Sequence, residues 1–444
     1  MKNDYYHGQG KTMISAHPET NSENIFSEKE LKLRIESEFD RTGGIFRLAP
    51  CWVGRPAFLA PGRRMKLLKE YISHDVAVTE RWLASTMSAD NGQSNSGCPM
   101  DHGLSYLVVG DVRIQLREAL AVCGELLLGP NKQWDVLAKL FDYQGRLPHH
   151  LHPCDCHVRK GRRGKPESYY FPVELNASLG RMPQTTVGIA AGVSDRKVLE
   201  VLGDYFKRDN CLGDFAERLN LSLGTGWYMP PCTLHGPGGL VTYELQVASG
   251  VGCMPESRLD DRAIPPNLLD RDLPVTVAQN GEDAVFEYIL EMVNCSFSGN
   301  RADFRKEYFR PAVSIREEDN CRQDYIIYRC GRASVEEARD LYSAKHTTIP
   351  GKRSWRLSER GAFGTLVLGG HGILQVPGKA AVKVESPSLF LDRTEMSGDE
   401  VFVAAAAAER LNVECHSVEG LSLYQHFASE TNEDSAKIPI PVSC

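Results

Sequence analysis

Two long stretches of this chain have the spacing of short β-strands. From Trp134 onward, and again from His346 to Phe427, apolar runs of a few residues alternate with glycine, proline and asparagine. Short strands between frequent turns are typical of a β-sandwich or a β-barrel. One segment with helical spacing, residues 194–221, interrupts the first stretch. The sequence therefore predicts a mainly β fold with helical additions, one of which is inserted between strands.

Helical signals outside this insert are confined to a few segments. Capping-box spacing, a serine followed by glutamate three residues later, predicts helices that begin at Ser27 and at Ser334. Further helices are predicted over residues 63–72, 112–129 and 281–293.

The chain is too long, at 444 residues, for one ordinary hydrophobic core, which predicts two or three domains. Four prolines and many charges mark residues 255–274 as the best candidate for an interdomain segment. The predicted division is an N-terminal extension (1–50), a first β domain with the helical insert (51–255), a linker and helix (256–305) and a second β domain (306–444).

Composition excludes several classes of partner. The net charge of −7 argues against a dedicated nucleic-acid binder, which usually carries a basic face. No run of 18 apolar residues occurs, so no membrane-spanning helix is predicted. Thirteen scattered cysteines without a Cys-x-x-Cys pair, and an N-terminus without an apolar signal region, predict reduced thiols in the cytoplasm.

The motif PHHLHP at residues 148–153 is the strongest chemical signal. If it forms a strand, alternate side chains share a face, so His150 and His152 point one way and His149 points the other. Two imidazoles at positions i and i+2 of a strand can chelate one metal ion. His149 and His157 lie off this face and are expected to be structural.

Chelation needs further ligands from other strands. Glu167 precedes the strand-like SYYFPVEL, and His235 follows GWYMPPCTL, in which Pro-Pro ends a strand. Three imidazoles and one carboxylate suit zinc, iron, manganese or nickel, with a labile water position for substrate. The competing interpretation is a solvated histidine-rich loop. Cys154-x-Cys156 could bind metal or oxidise, but free cysteines more often pack as inert side chains.

These motifs, taken in order, resemble a known family. His-x-His-Pro, then Gly-Lys-x-Glu before a tyrosine-rich strand, then Pro-Pro-x-x-x-His, is similar to the type I mannose-6-phosphate isomerases of the cupin superfamily. The resemblance extends from about Glu80 to Ser249. It implies two cupin (jelly-roll β-barrel) domains and a divalent metal, with Zn²⁺ as the first choice and Fe²⁺, Mn²⁺ or Ni²⁺ as alternatives. The metal ligands that it implies are His150, His152, Glu167 and His235.

The resemblance also implies residues that handle a substrate. Gly-Lys-Pro-Glu matches the family's Gly-Lys-x-Glu and gives Lys165 a catalytic role, while YELQVAS gives Glu244 as the pocket carboxylate. The substrate-binding residues that follow are Lys139, Gln246 and Arg258.

Two positions depart from the family pattern, and both touch phosphate recognition or catalysis. Pro148 stands where the family has a serine, and Met254 stands where it has an arginine. The nearest arginines are Arg258 and Arg262. An unphosphorylated or modified sugar is therefore as reasonable a substrate as mannose 6-phosphate.

The second β domain resembles a cupin that has lost its metal site. Trp355 and Leu357 occupy the positions at which ligands are expected. Side chains without imidazole or carboxylate cannot hold a divalent ion, so this domain is expected to be structural.

The functional expectation is a metal-dependent aldose–ketose isomerase that acts on a sugar or sugar phosphate through an enediolate. Glu244 would carry the carbon-bound proton, and Lys165 would stabilise negative charge. The alternatives are a cupin oxygenase and a non-catalytic sugar-binding bicupin. The expected partner is a small-molecule sugar, and a homodimer is possible.

Overall fold

The computed structural model describes residues 26–55, 59–62, 78–89, 102–130, 133–176, 184–295, 304–330, 340–386, 398–429, 431–432 and 434–439. Strands outnumber helices among these residues, and the prediction of a mainly β fold with helical additions is confirmed. No helix in the described ranges is both long and apolar enough to cross a membrane.

The strands are short and regularly spaced, as the sequence predicts. Up to residue 263 they are β1 (Ile45–Ala49), β2 (Cys51–Gly54), β3 (Val78–Leu83), β4 (Tyr106–Val109), β5 (Val112–Gln115), β6 (Val136–Phe141), β7 (Glu167–Tyr170), β8 (Gln184–Val187), β9 (Glu217–Asn220), β10 (Thr225–Met229), β11 (His235–Gly236), β12 (Thr242–Val247), β13 (Arg258–Leu259) and β14 (Arg262–Ala263). After it they are β15 (Phe309–Pro311), β16 (Val313–Glu318), β17 (Cys321–Ile327), β18 (Tyr342–Ile349), β19 (Ser354–Leu357), β20 (Phe363–Gly369), β21 (His371–Gln375), β22 (Val382–Glu385), β23 (Glu400–Val403), β24 (Leu411–Cys415) and β25 (Leu421–Ala428).

All of these strands except the β13–β14 hairpin form two sandwiches, each made of one large and one small antiparallel sheet. The first sandwich joins a seven-stranded sheet, ordered β15-β10-β7-β12-β6-β3-β2, to a three-stranded sheet, ordered β11-β8-β9. The second joins a nine-stranded sheet, ordered β16-β17-β18-β25-β20-β23-β1-β4-β5, to a four-stranded sheet, ordered β19-β24-β21-β22. Each sandwich contains an apolar cluster with side chains from both of its sheets.

The two large sheets pack back to back. Side chains that point out of each sandwich meet in the largest apolar cluster of the described residues. Tyr243 of β12 contacts Tyr424 of β25 edge to face, with ring centroids 5.5 Å apart. Edge-to-face contact suits the aromatic quadrupole, so these buried rings help to fix the sheets against each other.

Nine α-helices lie between these strands or before them in the described part of the chain. They are α1 (Glu28–Thr42), α2 (Leu116–Leu128), α3 (Val173–Asn176), α4 (Asp195–Leu202), α5 (Asn267–Asp270), α6 (Val275–Gln279), α7 (Glu282–Cys295), α8 (Phe304–Tyr308) and α9 (Ala405–Ala408). The predicted start of α1 is confirmed, because the Ser27 side chain accepts from the Glu30 amide and the Glu30 carboxylate accepts from the Ser27 amide. The helix predicted over 281–293 corresponds to α7. The helices predicted over 63–72 and from Ser334 lie outside the described residues.

Two predicted helical segments are partly strand. The helix predicted over 112–129 begins only at Leu116, because the four residues before it pair with β4 as β5. In the segment 194–221, α4 is followed by a 3₁₀ turn and then by β9, which pairs with β8. Leu219 and Leu221 are buried while Arg218 and Asn220 are exposed, and this alternation is that of a strand.

The N-terminal strands belong to the second sandwich. β1 pairs with β23 on one side and with β4 on the other, so residues 45–49 and 106–115 extend the nine-stranded sheet. The sheet boundary therefore does not follow chain order. β2, which begins at Cys51, belongs to the seven-stranded sheet, so the chain passes from the second sandwich to the first at residue 50. The four-part division as a whole remains a prediction.

Candidate metal centre and active site

Main-chain pairing brings three histidines together. The His150 amide donates to the His235 carbonyl (2.9 Å), and the His235 amide donates to the His150 carbonyl (2.8 Å). This pair of hydrogen bonds lies at the edge of the three-stranded sheet and puts the two imidazole rings 4.3 Å apart, centroid to centroid. His152, two residues along, shares the face of His150, with ring centroids 5.0 Å apart.

Glu167, the first residue of β7, completes the cluster from the opposite sheet. Its Oε1 lies 2.9 Å from His235 Nε2, and its Oε2 lies 3.0 Å from His152 Nε2. One ligand atom from each of His150, His152, Glu167 and His235 lies within 4.8 Å of the others. The structure thus brings together all four side chains that the sequence predicts as metal ligands.

The outer nitrogen of each ring is bonded to a main-chain carbonyl. Nδ1 of His150, His152 and His235 lies 2.7, 2.8 and 2.8 Å from the carbonyls of Pro148, Val251 and Thr233, respectively. Since a carbonyl can only accept, each Nδ1 carries a hydrogen, and Nε2 is the atom that offers a lone pair in the neutral ring. Such outer-shell bonds fix the ring and the tautomer of metal-binding histidines.

Burial keeps His150 and His152 in the neutral form that binds metals. All four side chains are buried. Burial, followed by the neighbouring histidines, holds the pKa of His150 well below its usual value. Burial, with the nearby Lys165, lowers the pKa of His152 to about 4. Burial alone would raise the pKa of Glu167, but Lys165 and the histidines outweigh it and keep that pKa low.

The donor set fits a divalent cation. His235 Nε2 is buried and has no hydrogen-bond partner among the described residues, although a carboxylate oxygen lies 2.9 Å away. A buried lone pair without a donor is costly unless something occupies the site. Three imidazoles and one carboxylate suit zinc and other first-row metals.

A row of alternating charges runs from this cluster across the inner face of the seven-stranded sheet. Lys165 Nζ lies 2.8 Å from Glu167 Oε2 and 3.9 Å from Glu244 Oε1, and Lys139 Nζ lies 3.2 Å from the same Glu244 oxygen. The register of the strands explains the order of these side chains, because Glu244 of β12 pairs with Lys139 of β6 on one side and with Tyr169 of β7 on the other. The structure therefore joins Lys139, Lys165 and Glu244 to the candidate ligands.

The far end of the row consists of residues that sequence reasoning missed. Glu80 Oε1 lies 3.0 Å from Arg55 Nε, and the same oxygen accepts from the Tyr143 hydroxyl. The Trp82 indole donates to the other Glu80 oxygen (2.7 Å). Tyr169 was missed as well, and its hydroxyl donates to Glu167. No local motif marks these side chains, and only the strand order brings them to the row.

Glu244 is the carboxyl group of the row that titrates near neutrality. Burial, followed by the negative charge of Glu167, raises the pKa of Glu244 to about 7. The pKa of Glu80 is instead held low by Arg55 and Lys139, against the effect of burial. Burial would lower the pKa of Lys139, but Glu244 and Glu80 outweigh it and raise that pKa.

Lys165 competes with a metal for the candidate ligands. Its Nζ lies 3.0 Å from His152 Nε2, whose single lone pair cannot serve an ammonium group and a metal together. Cation binding therefore requires Lys165 to leave His152. The Lys165 side chain can turn toward Glu244, whose Oε1 lies 3.9 Å from Nζ.

Two predicted substrate-binding residues lie in different surroundings. Gln246 is buried, and its amide donates to the Ser249 carbonyl (2.7 Å), while its Oε1 has no partner among the described residues. Arg258 is exposed on the β13–β14 hairpin, where it donates to the Asp261 carbonyl. The structure does not bring Arg258 into the buried row, because strand alternation turns Leu259 inward and Arg258 outward.

The second sandwich has an apolar interior where the sequence suggests a lost metal site. Trp355 and Leu357 of β19 are buried in its core cluster. Lys345 and Glu359 form a buried ion pair in this sandwich, with an N–O distance of 2.5 Å.

Comparison with known proteins gives likeness in structure only. No protein-family model matches the sequence. No curated protein matches it either. Among solved structures, the mannose 6-phosphate isomerase from Bacillus subtilis is 15% identical, with a TM-score of 0.58 over 86% of this chain and 99% of that one.

Two further structures are similar over the same length. A variant of phosphomannose isomerase from Salmonella typhimurium is 10% identical, with a TM-score of 0.56 over 87% of this chain and 99% of that one. A putative mannosephosphate isomerase from Archaeoglobus fulgidus is 14% identical, with a TM-score of 0.52 over 87% and 97%. The resemblance predicted from the motifs is thus confirmed at the level of structure, and this chain has the fold of the mannose 6-phosphate isomerases of known structure.

Proposed function

We propose that this protein is a metal-dependent aldose–ketose isomerase that acts on a sugar or sugar phosphate. The observation that carries the proposal is the proximity of the three-histidine, one-glutamate cluster to Glu244, a buried carboxyl group with a pKa of about 7. The similar structures from Bacillus and Salmonella are named as mannose 6-phosphate and phosphomannose isomerases, which supports the same class of reaction.

His150, His152, Glu167 and His235 would hold the metal, for which Zn²⁺ is our first choice and Fe²⁺, Mn²⁺ and Ni²⁺ are alternatives. When bound, the metal supplies Lewis acidity toward the oxygens of the substrate. The hydrogen bonds from each Nδ1 to a carbonyl keep the three Nε2 atoms aimed at one point. Tyr169 donates to Glu167 and so orients its carboxylate.

Glu244 is the proposed base. Isomerisation moves a proton between two adjacent carbons, and a general base works best when its pKa is close to the working pH. Glu244 Oε1 is buried and accepts no well-aligned hydrogen bond among the described residues, although two ammonium groups lie beside it. Lys139 Nζ, 3.2 Å away, would hold the carboxylate in place and stabilise its charged form.

Lys165 is the proposed electrostatic partner of the substrate. Its ammonium group lies between Glu167 and Glu244, where negative charge on the substrate oxygens would develop during enolisation. Gln246 offers a free Oε1 toward a sugar hydroxyl. Arg258, which is exposed, is proposed to contact only a substrate group that extends out of the pocket.

The proposed substrate is a sugar, which could be phosphorylated or unphosphorylated. Pro148 offers only its carbonyl, which already accepts from His150. Met254 is partly buried against the β13–β14 hairpin and carries no charge. Neither side chain can bind phosphate, so unphosphorylated sugars belong in any test.

A panel of aldoses, ketoses and their phosphates in deuterated buffer tests the proposal. We expect deuterium at C2 of the aldose product for at least one substrate, followed by NMR, with the metal content measured on the same sample. Substrate binding without deuterium incorporation would contradict the proposal and favour a sugar-binding protein. Oxygen uptake with loss of substrate would instead favour a cupin oxygenase.

A further inference from the structure

A second group of metal-binding side chains lies beside the first centre. Cys154, Cys156, His157 and Cys232, here called the thiol cluster, share one corner of the first sandwich. His157 and Cys232 are buried, Cys154 is half-buried and Cys156 is exposed. Every cysteine in the described part of the chain is a free thiol. The cluster therefore offers three thiols and one imidazole.

Three of the four side chains already have the spacing of metal ligands, because one ligand atom from each of Cys154, Cys156 and His157 lies within 4.8 Å of the others. His157 Nδ1 lies 2.9 Å from Cys154 Sγ, 3.3 Å from Cys156 Sγ and 4.0 Å from Cys232 Sγ. Bonds of about 2.3 Å to sulfur and about 2.0 Å to nitrogen place tetrahedral ligands roughly 3.5 Å apart, a value that these three distances bracket. The Cys154 and Cys156 sulfurs, 2.7 Å apart, would have to separate by about 1 Å, which the exposed Cys156 side chain permits.

Local backbone geometry holds the ligands in this arrangement. A tight turn, in which the His157 and Val158 amides donate to the Cys154 carbonyl, brings Cys154 and His157 to the same side. Cys232 follows Pro-Pro with a positive φ of 66° and is turned toward them. The Cys154 amide donates to Cys232 Sγ (3.3 Å), and such amide–sulfur bonds stabilise a thiolate.

The histidine is oriented from its other side. His157 Nε2 lies 3.3 Å from Glu291 Oε1, on α7, so that Nδ1 is the atom directed at the sulfurs. The Tyr288 hydroxyl donates to the His157 carbonyl (3.3 Å), and the two rings pack edge to face. A carboxylate on the remote nitrogen is the usual outer shell of a zinc-bound histidine.

We propose that Cys154, Cys156, His157 and Cys232 bind a second Zn²⁺ in a closed, four-ligand site. Thiolate-rich tetrahedral sites favour zinc over the harder metals that carboxylate centres accept. Cys154 lies two residues after His152, and Cys232 lies three residues before His235. The proposed site would tie together the two loops that carry these imidazoles and would anchor both of them to α7.

Metal analysis of the reduced full-length chain tests this site. We expect two zinc ions per chain in the wild type and one in Cys154→Ser/Cys156→Ser, whose remaining zinc is held by the histidine–glutamate centre. Replacement of zinc by Co²⁺ should give a thiolate-to-cobalt charge-transfer band, which ligands without sulfur cannot produce. Cys156→Ser alone, at an exposed position, should weaken this band in a folded protein.

Cys211→Ser is the matched control, because Cys211 is an exposed free thiol outside the cluster, and it should keep both zinc ions and the full band. The proposal is wrong if the reduced wild type gives no charge-transfer band with Co²⁺, or if the double variant retains two zinc ions. Failure of the histidine–glutamate centre would be distinct, since the wild type would then bind one zinc and still show the band.

Discussion

At the scale of single residues, Glu244 differs from every other carboxyl group of the charged row. Glu80 and Glu167 are held ionised by nearby cations, whereas the pKa of Glu244 is raised to about 7 by burial and by the charge of Glu167. Lys139 and Lys165 partly offset this effect. One carboxyl group can therefore exchange a proton near neutral pH while its neighbours stay charged.

We expect Glu244→Gln to lower kcat by about 10²- to 10⁴-fold, since a general base typically contributes that much. In the wild type, kcat/KM should rise with pH below a pKa near 7 and level off above it, because only the deprotonated carboxylate accepts the proton. A cation bound at the centre offsets the negative charge of Glu167 and so lowers the pKa of Glu244. The rise of kcat/KM then occurs at lower pH. Steady-state kinetics from pH 5 to about 9 measure both effects.

Glu359→Gln is the matched control for this variant. Glu359 is also a buried carboxylate beside a lysine, Lys345, but it lies in the second sandwich. It should leave the pH profile unchanged. A Glu244→Gln enzyme with normal kcat and bound metal would rule out this base.

Sequence reasoning reached the site residues to different extents. Strand alternation alone predicts that His150 and His152 share a face, and the structure agrees. Glu167 was proposed from its place before a strand-like segment, and Glu244 was assigned from the order of motifs in a resembling family. Arg55 could not be predicted, because its place beside Glu80 depends on which strands are neighbours, and no short-range pattern specifies that order.

At the scale of elements, β10 and β7 approach each other closely beside the candidate centre. Gly226 of β10 pairs with Tyr170. A Cβ atom built on Gly226 would lie 2.3 Å from the Tyr169 carbonyl oxygen, a main-chain atom that cannot rotate away. Glycine at this position thus permits the close spacing of β10 and β7. This spacing matters for the candidate centre, because β7 begins with Glu167.

Gly226→Ala should therefore lower the free energy of unfolding by about 1–3 kcal/mol, the usual cost of overpacking. Urea denaturation followed by tryptophan fluorescence would measure it. Gly239→Ala is the control, because a Cβ there meets nothing within 4 Å, and its effect should stay within about 0.5 kcal/mol. Equal stability of the two variants would contradict a close approach of β10 and β7.

Elements were predicted best where the signal is local. The capping box at Ser27 involves residues three apart, and the helix begins there. The segment before Leu116 and the residues Glu217–Asn220 were predicted as helix but pair with distant or neighbouring strands. Tertiary pairing overrides helical spacing in such short segments.

At the scale of the whole molecule, a buried ion cluster joins the two large sheets. Arg81 of β3 donates to Asp399 (2.7 Å) and to Glu400 (3.1 Å), the first residue of β23. Glu400 also accepts from the Ala84 amide (2.8 Å). One cation thus faces two carboxyl groups in a region closed to solvent.

Arg81→Met should lower the free energy of unfolding by about 3–5 kcal/mol, because it leaves two buried carboxyl groups without their cation. Burial raises the pKa of Glu400 to about 7, so the folded state holds this proton more tightly than the unfolded state does. The contribution of Glu400 to stability therefore falls as pH rises from about 4.5 to about 7. Thermal unfolding at several pH values measures both effects.

Glu400→Gln keeps the shape of the side chain and removes its titration. We expect this variant to be much more stable than Arg81→Met and to lack the part of the pH dependence that Glu400 contributes. If Arg81→Met were as stable as Glu400→Gln at neutral pH, the cluster would not hold the sheets together.

The pairing of β1 with β23 has a consequence for how the protein folds in the cell. Ile45 of β1 pairs with Val403 of β23, so a strand that is synthesised early pairs with a strand near the other end of the chain. Ribosomes add about 5–20 residues per second, which leaves that edge unpaired for on the order of tens of seconds during synthesis. An exposed strand edge invites pairing with other chains. Nascent chains of this protein should therefore depend on chaperones until the last sheet strands emerge.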